Sequence, residues 1–385
     1  MRRSLTIIAA SFLACGIAHA QSILYAVSYR DTAASLRARG TSILGATNEQ
    51  KVALTRGLRK TEIYSGSLAD GKKKLQFSDE GLGLELMPLA EPGHPLAQGK
   101  AYIAGVEREW RAGPSPGVFA SAPAYYEISL DDSHRFRKLF ERQQNSTQLM
   151  VNWAGTRAAC RGYVGDKYVI SVYELPSAKL LHNWEMTPLL KAHCPDCLPL
   201  RQGWLADEER LFVRLDLGDE DSISPEAKNE PGIYLTGSDG KDLGQLSSPK
   251  GRHEVPGYKS VNSLLPFLAG QSRDGKFFFQ DFALKVGPQK PPIHYDSILL
   301  VTDSNLQALK QLPLQHSPGV SGIQISAFGR YIAFIEDRIV NYRTERHLWS
   351  KDLESGEERE WLVIPPPAVG SPEPEASLTL LGIQE

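Results

Sequence analysis

Apolar and polar residues alternate along most of this chain in short runs broken at Gly, Asp, Asn, Ser or Pro. That is the period of β-strands joined by tight turns, and it excludes a helical solenoid. One hairpin recurs six times: "EIYSGSLADGKKKLQF" near Tyr64, "YYEISLDDSHRFRKLF" near Tyr126, "ISVYELPSAKLLHNW" near Tyr173, "IYLTGSDGKDLGQL" near Tyr234, "ILLVTDSNLQALKQL" near Leu300 and "HLWSKDLESGEEREW" near Trp349. Further strand pairs, expected to precede the hairpins within each unit, read "ILGATNEQKVAL", "GWLADEERLFVRL", "GQSRDGKFFFQDF" and "ISAFGRYIAFIED". Six four-stranded units of roughly 40–50 residues predict an all-β, six-bladed β-propeller of antiparallel blades. Two β-sandwiches are the alternative that the same short strands would serve.

The repeats are expected over residues 41–364. Outside them, "SILYAVSY" within 21–40 and "ASLTLLGI" within 376–385 each read as a strand. They are expected to close the ring by pairing or to form part of a seventh blade. Between the repeats and the last strand, "PPPAVGSPEPE" (365–375) is too proline-rich for regular structure and reads as a linker.

The stretches "QSRDGKFFFQ", "IYLTGSDGKDLGQL" and "LWSKDLESGE" resemble the degenerate S-P-D-G-K repeat and the I-Y-x-x-D-x-x-x-G hairpin of TolB-like propellers. Arg273 stands where that repeat has proline, and in "SAFGRY" only Gly329 keeps the turn. The resemblance implies the propeller fold and makes a role in a cell-envelope complex an expectation.

Before the repeats, Arg2 and Arg3, an apolar run from Leu5 to Ile17 and Ala18-His19-Ala20 form a secretory signal over residues 1–20, cut before Gln21. The expected location is therefore the periplasm. A lipid anchor at Cys15 is the rival reading, disfavoured by Phe12 where such signals have leucine. No later apolar run approaches the ~18 residues of a membrane-spanning helix, so no transmembrane segment is expected in the mature chain. With 43 basic and 45 acidic residues, the chain lacks the basic footprint that phosphate contacts require, which argues against a nucleic-acid partner.

Candidates for chemistry are few. "GPSPG" (Gly113 to Gly117) spells a nucleophile elbow, but Pro116 lacks the backbone N–H that an oxyanion hole takes from the residue after the serine. The histidines are scattered without a metal-ligand spacing, and no cofactor is expected. Asp216, Asp219, Glu220 and Asp221 lack the glycine and spacing of a calcium loop and read as a solvated turn. Beyond the signal, the cysteines Cys160, Cys194 and Cys197 are odd in number and are the disulfide candidates. "HCPDC" (His193 to Cys197) admits a structural disulfide, a redox pair or a metal site of His193, Cys194 and Cys197. The first is favoured because no βαβ context is legible around it.

In an antiparallel four-stranded blade, the loop between strands two and three emerges on the same rim as the connection to the next blade. The long insertions at 108–123, 218–232 and 286–294 occupy the first position, and those at 192–200 and 249–260 the second. Long, varied loops on one rim of a rigid scaffold mark a binding surface. Trp110, Arg111, Arg252, His253, Tyr258, Lys290 and His294 are its candidate contact residues. The expectation is a non-enzymatic binding or scaffold module for a protein or cell-envelope component. A propeller enzyme using the central channel, or a redox or metal-handling protein using Cys194 and Cys197, is the alternative.

Overall fold

The computed structural model describes residues 21–30, 59–80, 82, 84–87, 99–111, 117–130, 135–142, 149–165, 167–217, 228–247, 258–260, 267–285, 296–314, 320–366 and 374–384. The first blade contains β1 (Ser22–Arg30), β2 (Arg59–Ser67) and β3 (Lys73–Ser78). The second is built from β4 (Leu84–Met87), β5 (Lys100–Arg111), β6 (Gly117–Ala120), β7 (Ala124–Ser129) and β8 (Phe136–Glu141). The third comprises β9 (Leu149–Val151), β10 (Arg157–Val164), β11 (Lys167–Glu174) and β12 (Leu180–Glu185). A short helix, α1 (Thr187–His193), leads to the fourth: β13 (Cys197–Trp204), β14 (Arg210–Leu217), β15 (Gly232–Gly237) and β16 (Asp242–Ser247). The fifth holds β17 (Tyr258–Ser260), β18 (Phe267–Gln271), β19 (Phe277–Lys285), β20 (Asp296–Thr302) and β21 (Ala308–Leu314). The sixth is β22 (Val320–Ile325), β23 (Tyr331–Val340), β24 (Arg343–Asp352) and β25 (Glu358–Ile364), and the last strand is β26 (Glu375–Gln384).

These strands form six antiparallel sheets, each with a four-stranded path, arranged as the blades of a propeller. β26 lies beside β1 as the innermost strand of the first blade, in the order β26-β1-β2-β3. The two end strands therefore complete blade one and do not begin a seventh. "ILGATNEQKVAL", read above as that blade's first two strands, lies outside the described residues. The outermost strands carry the polar residues, as in Phe136–Glu141, whereas the inner Leu149–Val151 is wholly buried.

Blade faces pack against one another through separate apolar clusters. Leu24, Ala26, Ile63 and Phe77 of blade one meet Leu84, Leu86 and Ile103 of blade two. The opposite face of blade one, with Ile23, Tyr25 and Val27, packs on Leu348, Trp361 and Ile364 of blade six. Period-two alternation makes this possible, because successive side chains of β1 point to opposite neighbours.

The turn between first and second strands is the same in blades three to six. Its fourth residue has a positive φ, at Gly155, Glu208, Gly275 and Gly329. The N–H of each donates to the carbonyl three residues back. These turns interlock consecutive blades: the Asn152 amide donates to Glu208 at 3.1 Å, the Ala206 N–H to the Gln271 carboxamide at 2.9 Å, and the Arg273 N–H to the Ala327 carbonyl at 2.5 Å. The S-R-D-G-K segment is thus a joint between blades.

Candidate functional site

The rim bearing the second-to-third connections and the links between blades holds three built features. One is a β-hairpin arm on blade six. β23 and β24 stay paired from Tyr331↔Asp352 to Val340↔Arg343, well past the described pairing with β22, which ends at Glu336, and with β25, which ends at Arg346. Asn341 and Tyr342, both at positive φ, make the two-residue turn whose twist suits a hairpin. Ile339 is 68% exposed, Val340 42% and Tyr342 completely. Beneath this apolar tip the root is polar and rigid. Glu336 accepts bonds from Trp349 Nε1 at 2.9 Å and Arg338 Nε at 2.8 Å. Buried His347 bridges Glu345, at 2.7 Å, and Glu360.

Blade two carries a second arm. β5 continues beyond its partner β4, and Arg108–Arg111 pair with β6. Gly113-Pro-Ser-Pro-Gly117 therefore joins two antiparallel strands, with Arg111 opposite Gly117. A strand, not the helix of a nucleophile elbow, follows Ser115. Trp110 and Arg111 sit on this arm opposite Val118 and Gly117. Tyr258 opens β17, opposite Lys285 at the same rim. Arg252, His253, Lys290 and His294 lie outside the described residues.

The third feature is a cleft of about 760 Å³ between blades one and six. Tyr25, Val27 and Tyr29 alternate along β1 to form one wall, joined by Tyr64 and Leu75 from β2 and β3. Leu362, Ile364, Pro365 and Pro366 form the other, and Pro374 borders the cleft where the chain enters β26. The Tyr25 and Tyr64 rings stack with centroids 5.6 Å apart. Tyr64 Oη donates to Glu62 at 2.7 Å, and Lys60 joins Glu62 at 2.8 Å and Glu80 at 2.9 Å. Burial works upward on the Glu62 carboxyl, but the bonds from Lys60 and Tyr64 outweigh it and hold it below its usual value. Burial, with the neighbouring Tyr29, pushes the Tyr25 phenol up to about 12, so it stays protonated. None of these tyrosines is among the sequence-derived candidates. For Tyr25 and Tyr29 the signal was the aromatic spacing in "SILYAVSY", which reads equally as a ring-closing strand.

The His193–Cys197 segment is resolved as structure. Cys194 and Cys197 form a disulfide, and Cys160 is a free thiol buried in another cluster and pushed up to about 12 by that burial. Cys194 follows the C-terminal end of α1, where the helix dipole disfavours a thiolate. Asn229 clasps the turn, accepting from the Asp196 N–H at 3.1 Å and donating to the Asp196 carboxylate at 2.8 Å. His193 is bonded to Asp242 at 2.6 Å and lies against Tyr234. The metal reading of His193, Cys194 and Cys197 therefore loses its thiolates, and among the described residues no three His, Cys, Asp or Glu side chains form a metal set. Asp216, read above as part of a solvated loop, is instead buried in β14 and paired with Arg214 at 2.6 Å.

The sequence matches no family model and no curated protein. Among solved structures, the chain is similar to TolB from Acinetobacter baumannii, at 13% identity and a TM-score of 0.46, over 94% of this chain and 67% of that one. It is also similar to a putative TolB from Agrobacterium tumefaciens, at 13% identity and a TM-score of 0.42, over 93% and 98% of the two chains. A puromycin-hydrolyzing peptidase from Mycobacterium tuberculosis is similar at 15% identity and a TM-score of 0.42, over 79% of this chain and 43% of the peptidase. The six sheets described above, and not these likenesses, establish the propeller.

Proposed function

We propose that this chain is an exported, periplasmic propeller that acts as a non-enzymatic binding or scaffold module for a protein or cell-envelope component. The observation that carries the reading is the blade-six arm. It presents Ile339, Val340 and Tyr342 to solvent on a root fixed by Glu336, Trp349 and His347. A rigid hairpin with an apolar, aromatic tip supplies contact area at low entropic cost. Trp110 and Arg111 on the blade-two arm and Tyr258 on β17 belong to the same rim, and Arg252, His253, Lys290 and His294 are its further candidate contacts. The disulfide suits an oxidising compartment, and no helix among the described residues is long and apolar enough to cross a membrane. The channel-enzyme reading has no supporting observation among the described residues.

The test is affinity capture of the mature protein from crosslinked envelope extract, beside a Tyr342→Asp/Ile339→Asp variant of unchanged thermal stability. A stoichiometric partner lost in the variant supports the reading. Equal capture by both proteins, or no capture by either, refutes it.

A further inference from the structure

His347 spans the boundary between the blade-six arm and its blade. On one side, its Nε2 meets Glu345, which lies opposite Arg338 in the arm, at 2.7 Å. On the other, Nδ1 meets Glu360 of β25, the blade's outer strand. A neutral imidazole has one N–H and one lone pair, so between two carboxylates it makes only one of these bonds. The other contact would set a lone pair against an oxygen. Both bonds form together only when a further proton is present, and imidazole, more basic than a carboxyl, is the group that takes it. The residue is 4% exposed, so water does not replace a lost partner.

The surroundings favour that proton. Glu336, opposite His347 on β23 and 1% exposed, adds a third carboxylate to those of Glu345 and Glu360. Against them stand the Arg338 guanidinium, bonded to Glu336, and Arg343 nearer the tip on the same face. Lys351, further into the blade, is paired with Glu358, and on the opposite face of the arm Arg346 is paired with Asp337 at 3.1 Å. Blade five packs beside this root, with Leu299, Leu312 and Leu314 in one cluster with Trp349, and its Lys310 bonds the Leu353 carbonyl. An imidazolium among three carboxylates is electrostatically supported.

We propose that the arm carries a proton-operated latch, in which protonated His347 ties Glu345 of the arm to Glu360 of the blade and loss of its proton releases one of the two. The direction follows from the proton count. The link is complete at lower pH, and as pH rises the neutral ring gives up one carboxylate. The strands beyond the blade are then held by their own pairing and by the Glu336 and Asp337 contacts, and a two-stranded hairpin with few supports opens more often. Partner contact through Ile339, Val340 and Tyr342 weakens with it, because a less ordered tip costs more to dock. That consequence rests on reading the arm as the partner surface, whereas the latch itself does not.

Hydrogen exchange of the mature protein is followed for residues 337–346 between about pH 5 and about pH 9, a range that spans the charge change of histidine, with protection corrected for the intrinsic exchange rate. Arm protection is expected to fall about tenfold or more toward the alkaline end, the scale of a lost bond to a charged group. Glu360→Gln is the discriminating variant. Its carboxamide N–H can donate to the bare ring nitrogen, so a neutral imidazole completes the bridge and protection is expected to stay high throughout. His347→Ala is expected to be poorly protected at every pH. In the wild-type protein, nitrogen NMR shifts of the ring at the acidic end are expected to show both His347 nitrogens protonated. Arm protection independent of pH overturns the proposal, as does a Glu360→Gln variant with the wild-type profile or a bare ring nitrogen at the acidic end. None of these readouts uses a partner, so failure of the latch and failure of the binding surface are told apart.

Discussion

Asp79 shows how single residues tie this ring together. Its carboxylate, 5% exposed, accepts the backbone N–H of Thr61 in blade one at 2.7 Å and of Leu86 in blade two at 3.0 Å. Asp79→Ala would strand two buried donors and is expected to cost roughly 2–5 kcal/mol in denaturant unfolding. Burial holds this carboxyl up at about 6 against the two bonds, so the folded chain keeps a proton that the unfolded chain releases near pH ~4. Asp79's contribution is therefore fully present below pH ~4 and declines as pH rises through about 6. In Asp79→Asn that part of the pH dependence of stability is expected to vanish, and an unchanged slope would contradict it. Gly329 makes a second joint. It sits at φ +67°, and a Cβ there would lie 2.6 Å from the Phe278 ring of blade five. Gly329→Ala is expected to destabilise by roughly 2–5 kcal/mol, from left-handed backbone strain together with overpacking.

Among the elements, the disulfide turn and the two arms separate stability from binding. Cys194–Cys197 closes only a short loop, so Cys194→Ser/Cys197→Ser is expected to cost about 2 kcal/mol by chain entropy. Partner capture should not change, and a loss of capture at unchanged stability would revive a redox role. The hairpins were legible in the sequence because an inner face and a solvated outer strand impose clean alternation. The blade-six arm was not. Once β23 and β24 leave the blade, neither face is buried, and "DRIVNYRTER" loses its period. Its turn, Asn341-Tyr342, also lacks the glycine that marks a hairpin. The tyrosine cleft was hidden for a different reason: its walls come from opposite ends of the chain, and strand alternation does not report which blades become neighbours.

For the molecule as a whole, closure depends on β26. Leu378, Leu380 and Ile383 fill the cluster between blades six and one, and β26 covers the inner edge of β1. Removing residues 375–385 is expected to abolish the cooperative unfolding transition and to give association in gel filtration, through the exposed edge and apolar face. A truncated chain that remained monomeric with an unchanged transition would contradict this closure. The ring also fixes two opposite rims, which gives the binding account its most direct test. Tyr342 stands on the arm-bearing rim, and Phe328, 55% exposed, lies in a first-to-second-strand turn on the other. A photoreactive aromatic residue is placed at each position in turn, and the envelope is irradiated. The account predicts a discrete crosslinked partner from position 342 and none from position 328. A partner crosslinked from 328 and not from 342 would contradict it.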